Sequence, residues 1–461
     1  MRKEYLNLDR IEGPLIVLSG VEGAFYGEII EIDGGDGRKR TGKIIRIEND
    51  AIVAQVFEGT SGLTTSGTSV RLTGKPFEIK VSKDILGRTF NGIGRPVDGG
   101  GPVFSSEKRN INGRPINPIA RKYPRSFIQT GISSIDSLIT LIRGQKLPIF
   151  SGNGLPHNEL AAQIVRQAQL GEGNEEEFAV VFAAIGVKND DAAYFRRSFE
   201  EAGALDRVVF FLNLADEPVV ERISTPRCAL TAAEYLAFEE GINVLVIMTD
   251  ITSYCEALRE ISSSREEVPS RKGYPGYLYS DLASLYERAG MLKGKDGSIT
   301  FLPILTMPND DISHPIPDLT GFITEGQVVL GRDLHQDGVY PPVSVLPSLS
   351  RLMKDGIGKG YTREDHADVA NQLFSCYSRV QEVRALAQII GESDLSDLDK
   401  QYLEFGRAFE GRFIGQGDAA NRSVNESIEL GWDLLSLLPR IELSRIDDQY
   451  LDVHFEKRAK A

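Results

Sequence analysis

The spacing of apolar and polar residues divides the chain into three segments with different predicted structures. Up to about residue 75, short alternating runs such as residues 29–32 are separated by turn-forming stretches such as the glycine-rich residues 33–37. Alternation interrupted by frequent turns is typical of antiparallel strands. We therefore expect a small antiparallel β-barrel at residues 1–75.

From residue 76 to residue 360, short apolar runs alternate with segments that have helical character. Residues 178–183, 208–212 and 244–248 are apolar throughout. Uninterrupted apolar strands between helices are typical of a parallel sheet that is covered on both faces. The expected structure of residues 76–360 is a central α/β domain built on such a sheet.

After residue 361 the pattern changes to the period of a helix. Thr362 and Asp365 resemble a capping box, Gly391 can end the first helix, and residues 396–410 and 423–438 predict two more helices. The apolar stripe of the first helix consists of Val369, Leu373, Cys376, Val380, Val383 and Leu386. Residues 361–461 are expected to form a C-terminal helical bundle.

Composition and charge limit the classes of binding partner and indicate the cellular compartment. The formal net charge of −14 argues against nucleic acid as a partner, because a polyanion would be repelled. Three widely spaced cysteines form no CxxC pair and suit a reducing cytosol. Since no apolar run approaches about 18 residues, we expect a cytoplasmic chain that does not span a membrane.

A degenerate phosphate-binding loop lies between a predicted strand at residues 147–150 and a predicted helix at residues 159–170. A working loop of this kind reads G-x-x-x-x-G-K-[ST]. The corresponding residues here are Ser151, Gly152, Asn153, Gly154, Leu155, Pro156, His157 and Asn158. Taken alone, such a stretch is more often an ordinary glycine-rich turn.

Three replacements in this loop remove the groups that would hold a nucleotide. Pro156 stands at the second glycine and has no N–H to donate to a phosphate. His157 stands at the lysine and, when neutral, lacks the fixed charge that reaches the β- and γ-phosphates. Asn158 offers an amide oxygen where a hydroxyl normally binds magnesium. We therefore expect no cofactor and no metal ion in the chain's own loop.

Nucleotide hydrolysis also requires two carboxylates, one near the magnesium ion and one that orients the attacking water. Asp250 could fill the first role, although it is at least as well placed to cap a helix that enters at Ile251. At the second position the turn after Ala184 carries Val187. Loss of a general base costs about 10²- to 10⁴-fold in rate, so the chain is not expected to be catalytic by itself.

Arg351 is the remaining candidate for chemistry. The segment at residues 348–352 follows the proline-rich residues 340–342 and is expected to lie outside any strongly periodic element. An arginine suits a reach across an interface onto a γ-phosphate, because its planar fork donates two hydrogen bonds and keeps its charge. From spacing alone, however, an ordinary surface arginine is the more frequent explanation.

Taken together, these residues resemble one family. Six segments carry the resemblance. They are residues 84–98, 129–136, 143–151 and 274–277, the GLPHN stretch of the loop, and the PSLSRLMK stretch at residues 347–354. They are similar, over essentially the whole length, to the B subunit of V-type (archaeal and bacterial vacuolar-type) ATPases, which is the non-catalytic subunit. The GLPHN and PSLSRLMK stretches are highly specific to that subunit type.

The resemblance implies a RecA-like nucleotide fold in the central domain and a role in a rotary ATPase or ATP synthase. Three B subunits would alternate with three catalytic A subunits around the central rotor shaft, together with peripheral stalk subunits and a membrane sector that translocates protons or sodium ions. Mg-ATP or ADP would bind at the A–B interface, where Arg351 would act as an arginine finger. The complex would hold the chain at the cytoplasmic face of the cell membrane.

The resemblance also places Tyr340 where catalytic relatives have an aromatic residue that stacks on adenine. Without a phosphate cradle, Tyr340 is not expected to bind a nucleotide.

Two other functions remain open at this stage. An autonomous hexameric motor, such as an export ATPase or an RNA helicase, shares the fold but requires its own loop lysine, which His157 replaces. A pure scaffold would keep the fold only to hold its neighbours in place, and it differs from the first hypothesis solely in what Arg351 does.

Overall fold

The computed structural model of the protein describes residues 4–48, 50–171, 176–265 and 267–459. Seven strands form the first part of the chain: β1 (Glu4–Leu6), β2 (Arg10–Glu12), β3 (Leu15–Leu18), β4 (Glu28–Asp33), β5 (Lys39–Glu48), β6 (Ala51–Val56) and β7 (Ser69–Pro76). They make one antiparallel sheet in the order β1-β7-β4-β5-β6-β3-β2. Alternate residues such as Ile30 and Ile32 of β4 point into its core, as the period of a half-buried strand requires.

The central part contains the remaining strands. They are β8 (Glu78–Lys80), β9 (Thr89–Asn91), β10 (Lys108–Asn110), β11 (Ile128–Gln129), β12 (Ile149–Gly152), β13 (Gln169–Leu170), β14 (Phe178–Val187), β15 (Val208–Leu214), β16 (Asn243–Thr249), β17 (Gly290–Met291), β18 (Ser298–Met307), β19 (Gly326–Leu330) and β20 (Val343–Ser350). The main sheet has the order β20-β19-β12-β18-β16-β14-β15-β9, and β17 pairs with β18. Two short antiparallel pairs, β8 with β10 and β11 with β13, lie outside it.

Among the described residues, eight α-helices connect these strands. They are α1 (Ser133–Leu138), α2 (His157–Gln167), α3 (Asn189–Glu201), α4 (Val219–Phe238), α5 (Ile251–Ser264), α6 (Leu278–Tyr286), α7 (Pro315–Ile323) and α8 (Arg332–Gln336). Successive residues of β14 pack into different cores: Val180 and Phe182 face one, Val181 and Ala183 the other. This division between two faces explains why the strand is apolar throughout.

The prediction of a parallel sheet is confirmed for its interior, but its outer strand β20 runs antiparallel to β19. The expectation that residues 348–352 lie outside regular structure is therefore wrong, because Val343–Ser350 form this strand. Pro347 lies within it, which is possible because an edge strand leaves one row of N–H groups unpaired. Because the proline interrupts the alternation of apolar and polar residues, the sequence did not predict this strand.

The C-terminal part is helical, as predicted. It consists of α9 (His366–Ile390), α10 (Asp397–Ala408), α11 (Val424–Leu435), α12 (Asp448–Tyr450) and α13 (Glu456–Ala459), with π-helical turns at Phe409–Ile414 and Leu451–Phe455. Its buried side chains, including Trp432, share one core with a face of the central sheet. Within the described ranges, no helix is both long and apolar enough to cross a membrane.

Three predicted element boundaries are corrected. The capping box at Thr362 and Asp365 is wrong, because the Asp365 carboxylate binds the Arg363 guanidinium and accepts a hydrogen bond from Trp432 Nε1 at 2.8 Å instead of capping α9. A complete capping box begins α11 instead, at Ser423. The predicted strand at residues 147–150 is β12, two residues further on, and the predicted helix at residues 159–170 is α2, which begins at His157 and ends at Gln167.

Candidate functional site

The degenerate loop occupies the usual position of a ligand site in an α/β sheet. β12 is flanked by the parallel strands β18 and β19, and the loop follows its carboxyl end. Ligands of open parallel sheets bind outside the carboxyl ends of the strands. Ser151 and Gly152 are buried within β12, whereas Asn153 and Gly154 are exposed at the tip of the loop.

Two backbone donors of the loop are hydrogen-bonded within the loop itself. The N–H of Leu155 donates to Gly152 O at 3.1 Å, and the N–H of His157 donates to Leu155 O at 2.8 Å. Pro156, between them, has no N–H. A working loop aims these N–H groups at phosphate oxygens. Three consecutive positions of this loop therefore offer a phosphate no backbone donor.

The side chains that replace the lysine and the hydroxyl contact the protein itself. His157 Nδ1 lies 3.1 Å from Ser151 Oγ at the end of β12. Asn158 Oδ1 accepts a hydrogen bond from Thr249 Oγ1 at 3.3 Å. Both residues belong to the first turn of α2, and both side chains contact groups of the chain itself.

An ion pair covers the loop from two neighbouring segments. The Asp310 carboxylate accepts hydrogen bonds from Arg332 Nε at 2.6 Å and Arg332 Nη2 at 2.9 Å, and Nη2 also donates to Asn153 O at 3.0 Å. The Arg332 guanidinium lowers the pKa of Asp310 and keeps it ionised. The pairing leaves the Arg332 guanidinium engaged with Asp310 and with the loop backbone, so its charge is already neutralised by a carboxylate. We call this pair, Asp310 and Arg332, the loop clasp.

The clasp depends on the absence of a side chain at Gly152. A Cβ built at Gly152 would lie 2.0 Å from Asp310 Oδ1. Gly152→Ala is therefore expected to lower the free energy of unfolding by about 1–2 kcal/mol, because the ion pair must move. Chemical denaturation would measure the loss.

The matched control for this variant is Gly276→Ala. A Cβ at Gly276 would meet nothing within 4 Å, so little change in stability is expected. Adding Asp310→Ala should remove the penalty of Gly152→Ala, which a double-mutant cycle would detect as coupling. An equal penalty with and without Asp310 would show that another contact is responsible.

The two carboxylate positions considered in the sequence carry no free acid. Asp250 caps α5, and its Oδ1 accepts hydrogen bonds from the N–H of Thr252 at 2.8 Å and of Thr306 at 3.2 Å. Val187 ends β14 as a buried side chain. The helix-capping interpretation of Asp250 is the one observed. In the part of the chain that the structure describes, no cluster of three potential metal ligands occurs.

Arg351 immediately follows the edge strand β20, and its side chain is exposed. Its N–H donates to Glu325 O at 2.9 Å, and Nη1 lies 3.4 Å from Thr324 O. Among the described residues, no acidic side chain pairs with the guanidinium. Arg351 therefore presents most of its hydrogen-bonding capacity to the outside of the chain.

The direction of β20 places Arg351 away from the chain's own loop. Because β20 is antiparallel to β19, Ser350 pairs with Gly326 at the start of β19, whereas Val329 near its other end pairs with Phe150. The loop therefore lies at the carboxyl ends of the parallel strands, whereas Arg351 lies at their amino ends. At the rise of a β-strand, the two positions are roughly 15–20 Å apart. Arg351 cannot reach a ligand on that loop.

All three parts of the fold match models of one family. Residues 10–74 match the ATP synthase alpha/beta family beta-barrel domain, residues 131–350 the nucleotide-binding domain of that family, and residues 355–455 the C-terminal domain of V and A type ATP synthase. The V-type ATP synthase beta chain 2 of Clostridium tetani is 67% identical over 99% of both chains. The chain belongs to the family of V-type and A-type ATP synthase B subunits, or beta chains.

Other relatives also match over nearly the whole chain. The corresponding B subunit of the A-type ATP synthase of Aeropyrum pernix is 58% identical over 99% of this chain and 98% of its own length. The solved structure of the ATP synthase subunit NeqB from Nanoarcheaum equitans is 42% identical, with a TM-score of 0.73, and covers 92% of this chain and 100% of that chain. The predicted order of β-barrel, nucleotide fold and helical domain is confirmed.

Tyr340 lies in an open depression of about 800 Å³ between the central and C-terminal parts, lined also by Arg412, Gln416 and Arg422. Its hydroxyl is buried and has no hydrogen-bond partner among the described residues, and burial raises its pKa. The resemblance relates this position to the adenine end of a nucleotide site. The phosphate end would be the degenerate loop, where the N–H groups of Leu155 and His157 and the His157 side chain are already engaged.

The loop clasp was not predicted from the sequence. Asp310 and Arg332 are 22 residues apart and belong to no motif. Asn309 and Asp310 both have positive φ angles, 58° and 55°, a conformation that asparagine and aspartate adopt more readily than other non-glycine residues. Consecutive Asn and Asp residues before a helix are too common to identify such a site without the structure.

Proposed function

We propose that this B subunit completes a nucleotide site on a neighbouring catalytic A subunit and does not use its own. In this proposal the A subunit holds the phosphates of Mg-ATP or ADP, and Arg351 donates to the γ-phosphate across the interface. The observation that carries the proposal is the placement of Arg351, exposed, without an acidic partner among the described residues, and at the sheet edge opposite the closed loop.

The proposed assembly is a ring of three A and three B subunits in alternation. The ring would surround a central rotor shaft, be held by peripheral stalk subunits, and couple ATP hydrolysis or synthesis to proton or sodium translocation in a membrane sector. The B subunit would then lie peripherally at the cytoplasmic face of the membrane. The names of the relatives, which are V-type and A-type ATP synthase chains, support this assignment.

The domain boundaries that we propose are residues 1–75, 76–360 and 361–461. The end of β7 at Pro76 and the start of α9 at His366 support them.

The decisive experiment is purification of the native complex. We expect this chain to co-purify in equal numbers with a larger subunit that has an intact Gly-Lys-Thr loop. The isolated chain should hydrolyse Mg-ATP no faster than buffer, because its loop lacks the lysine and the N–H groups of Leu155 and His157 are already hydrogen-bonded. Robust hydrolysis by the isolated chain would overturn the proposal, and stimulation by RNA would favour an autonomous motor instead.

A further inference from the structure

A second cavity, remote from the loop, lies where the β-barrel meets the central domain. It has a volume of about 500 Å³, within the range of sites that hold small organic molecules. Strands β5 and β6 line it from the barrel side, and helices α4, α5 and α6 line it from the central side. The proposed function assigns it no role.

Two polar side chains from the barrel enter this cavity, and among the described residues neither the Lys43 ammonium nor Gln55 Nε2 has a partner. Lys43 on β5 and Gln55 on β6 are directly opposite in the antiparallel register, so both project from the same face of the sheet. Gln55 is 4% exposed, and its amide Nε2 has no hydrogen-bond partner. Within the described residues, Lys43 forms no ion pair. A buried amide donor without a partner costs about 1–3 kcal/mol, which a ligand would recover.

The charges around the cavity do not balance. Arg227 and Arg265 add to Lys43, and the cavity also contains Asp281 and Glu267. Asp281 accepts from Arg227 Nη2 at 2.6 Å, and Glu267 is 3.7 Å from Arg265 Nη1. Among the described residues, Arg265 Nε has no partner. The described lining has three cations and two carboxylates, and Lys43 is the cation that no described carboxylate pairs with.

The environment of Lys43 disfavours the charged form of its side chain. Burial lowers the pKa of Lys43 to about 8, and the charges of Arg227 and Arg265 act in the same direction. An anion at this position would favour the charged form and raise that pKa again. Much of the remaining wall is apolar, and it includes Phe57 and Phe77 with ring centroids 5.1 Å apart.

We propose that this cavity binds a small organic carboxylate. The carboxylate accepts hydrogen bonds from the Lys43 ammonium and the Gln55 amide, and the apolar body of the ligand packs against Phe57, Phe77 and Ile261. One negative charge suffices to balance the lining, which favours a monoanion over a phosphate. The ligand would contact both the barrel and the central domain.

Calorimetric titration of the full-length chain with benzoate tests this proposal, with benzyl alcohol as the neutral analogue and inorganic phosphate as the alternative anion. We expect saturable benzoate binding that Lys43→Gln weakens about tenfold or more, the value of a hydrogen bond to a charged group. Lys39→Gln, an exposed lysine on the same strand, is the matched control and should leave binding unchanged.

The pH dependence provides a second measurement that needs no variant. Benzoate affinity should rise about tenfold from about pH 9 to about pH 7, as Lys43 gains its proton. The charged and titratable side chains that line the cavity with Lys43 are Arg227 on α4, Arg265 after α5, Glu267, Asp281 on α6, and the two tyrosines Tyr26 and Tyr277.

Gln55→Leu separates ligand binding from a structural role. It should weaken benzoate binding while leaving the unliganded chain as stable as before or more so, because it removes an unsatisfied amide. If Lys43→Gln does not fold, this variant and the pH profile decide. The proposal is overturned by absence of saturable benzoate binding up to about 10 mM, by equal binding to Lys43→Gln, or by tighter binding of benzyl alcohol or phosphate.

Discussion

Arg351→Ala is expected to reduce the ATP turnover of the reconstituted complex by about 10³- to 10⁵-fold, the effect of removing an arginine finger. The hypothesis rests on an exposed guanidinium at the sheet edge opposite the chain's own loop. Subunit assembly should be unchanged, because within the described chain Arg351 makes only a 3.4 Å side-chain contact with a backbone carbonyl. Steady-state hydrolysis by the purified complex measures the effect.

Two companion variants separate the finger from a general loss of charge. Arg351→Lys keeps the charge but not the planar fork, so most of the activity should still be lost. Lys354→Ala removes an exposed cation three residues further on and should leave turnover almost unchanged. Full turnover by Arg351→Ala in an intact complex would remove Arg351 from the mechanism and leave the scaffold hypothesis.

Glu234→Ala is expected to destabilise the central domain by about 3–5 kcal/mol, because it leaves a buried charge without its partner. Arg288 is 0% exposed, and its Nε and Nη2 donate to the two Glu234 oxygens at 2.6 and 2.7 Å. The same guanidinium donates to Ile111 O and to Thr231 Oγ1. Denaturant unfolding followed by far-UV circular dichroism would measure the change.

An exposed pair provides the comparison. Glu200→Ala breaks the surface ion pair with Arg196 on α3, and its expected cost is below about 0.5 kcal/mol. Replacing both members of the buried pair, by Glu234→Leu with Arg288→Met, should recover much of the lost stability, because no charge then remains buried. If Glu234→Ala cost no more than Glu200→Ala, the buried pair would contribute little to stability.

The parts of the fold that were predicted correctly are those whose apolar and polar patterns can be recognised in consecutive residues of the sequence. The apolar runs of β14, β15 and β16 indicate burial on both faces, and that burial requires helices on each side. The helical period after residue 361 likewise needs no distant contact to be recognised. The direction of β20 was not predictable, because Pro347 interrupts its alternation and its pairing depends on β19.

Side-chain partners drawn from distant segments were the main source of error. The sequence predicts that Asp365 caps a helix, but its carboxylate instead accepts hydrogen bonds from Arg363 and Trp432. Trp432 is 67 residues away and reaches Asp365 only because α11 packs on α9. A helix-capping hydrogen bond stabilises a protein by about 1 kcal/mol. The charge-assisted hydrogen bonds that Asp365 forms instead are stronger than such a cap.

By itself, the sequence determined that Pro156, His157 and Asn158 stand where a working phosphate-binding loop has a glycine, a lysine and a hydroxyl residue. It also identified Arg351 as the candidate for chemistry, through the resemblance. Only the tertiary structure decided that the clasp of Asp310 and Arg332 covers the loop and that Arg351 lies at the opposite edge of the sheet. The reason is physical: the chemistry of a side chain belongs to its residue type, whereas its partners and direction depend on how distant strands pair.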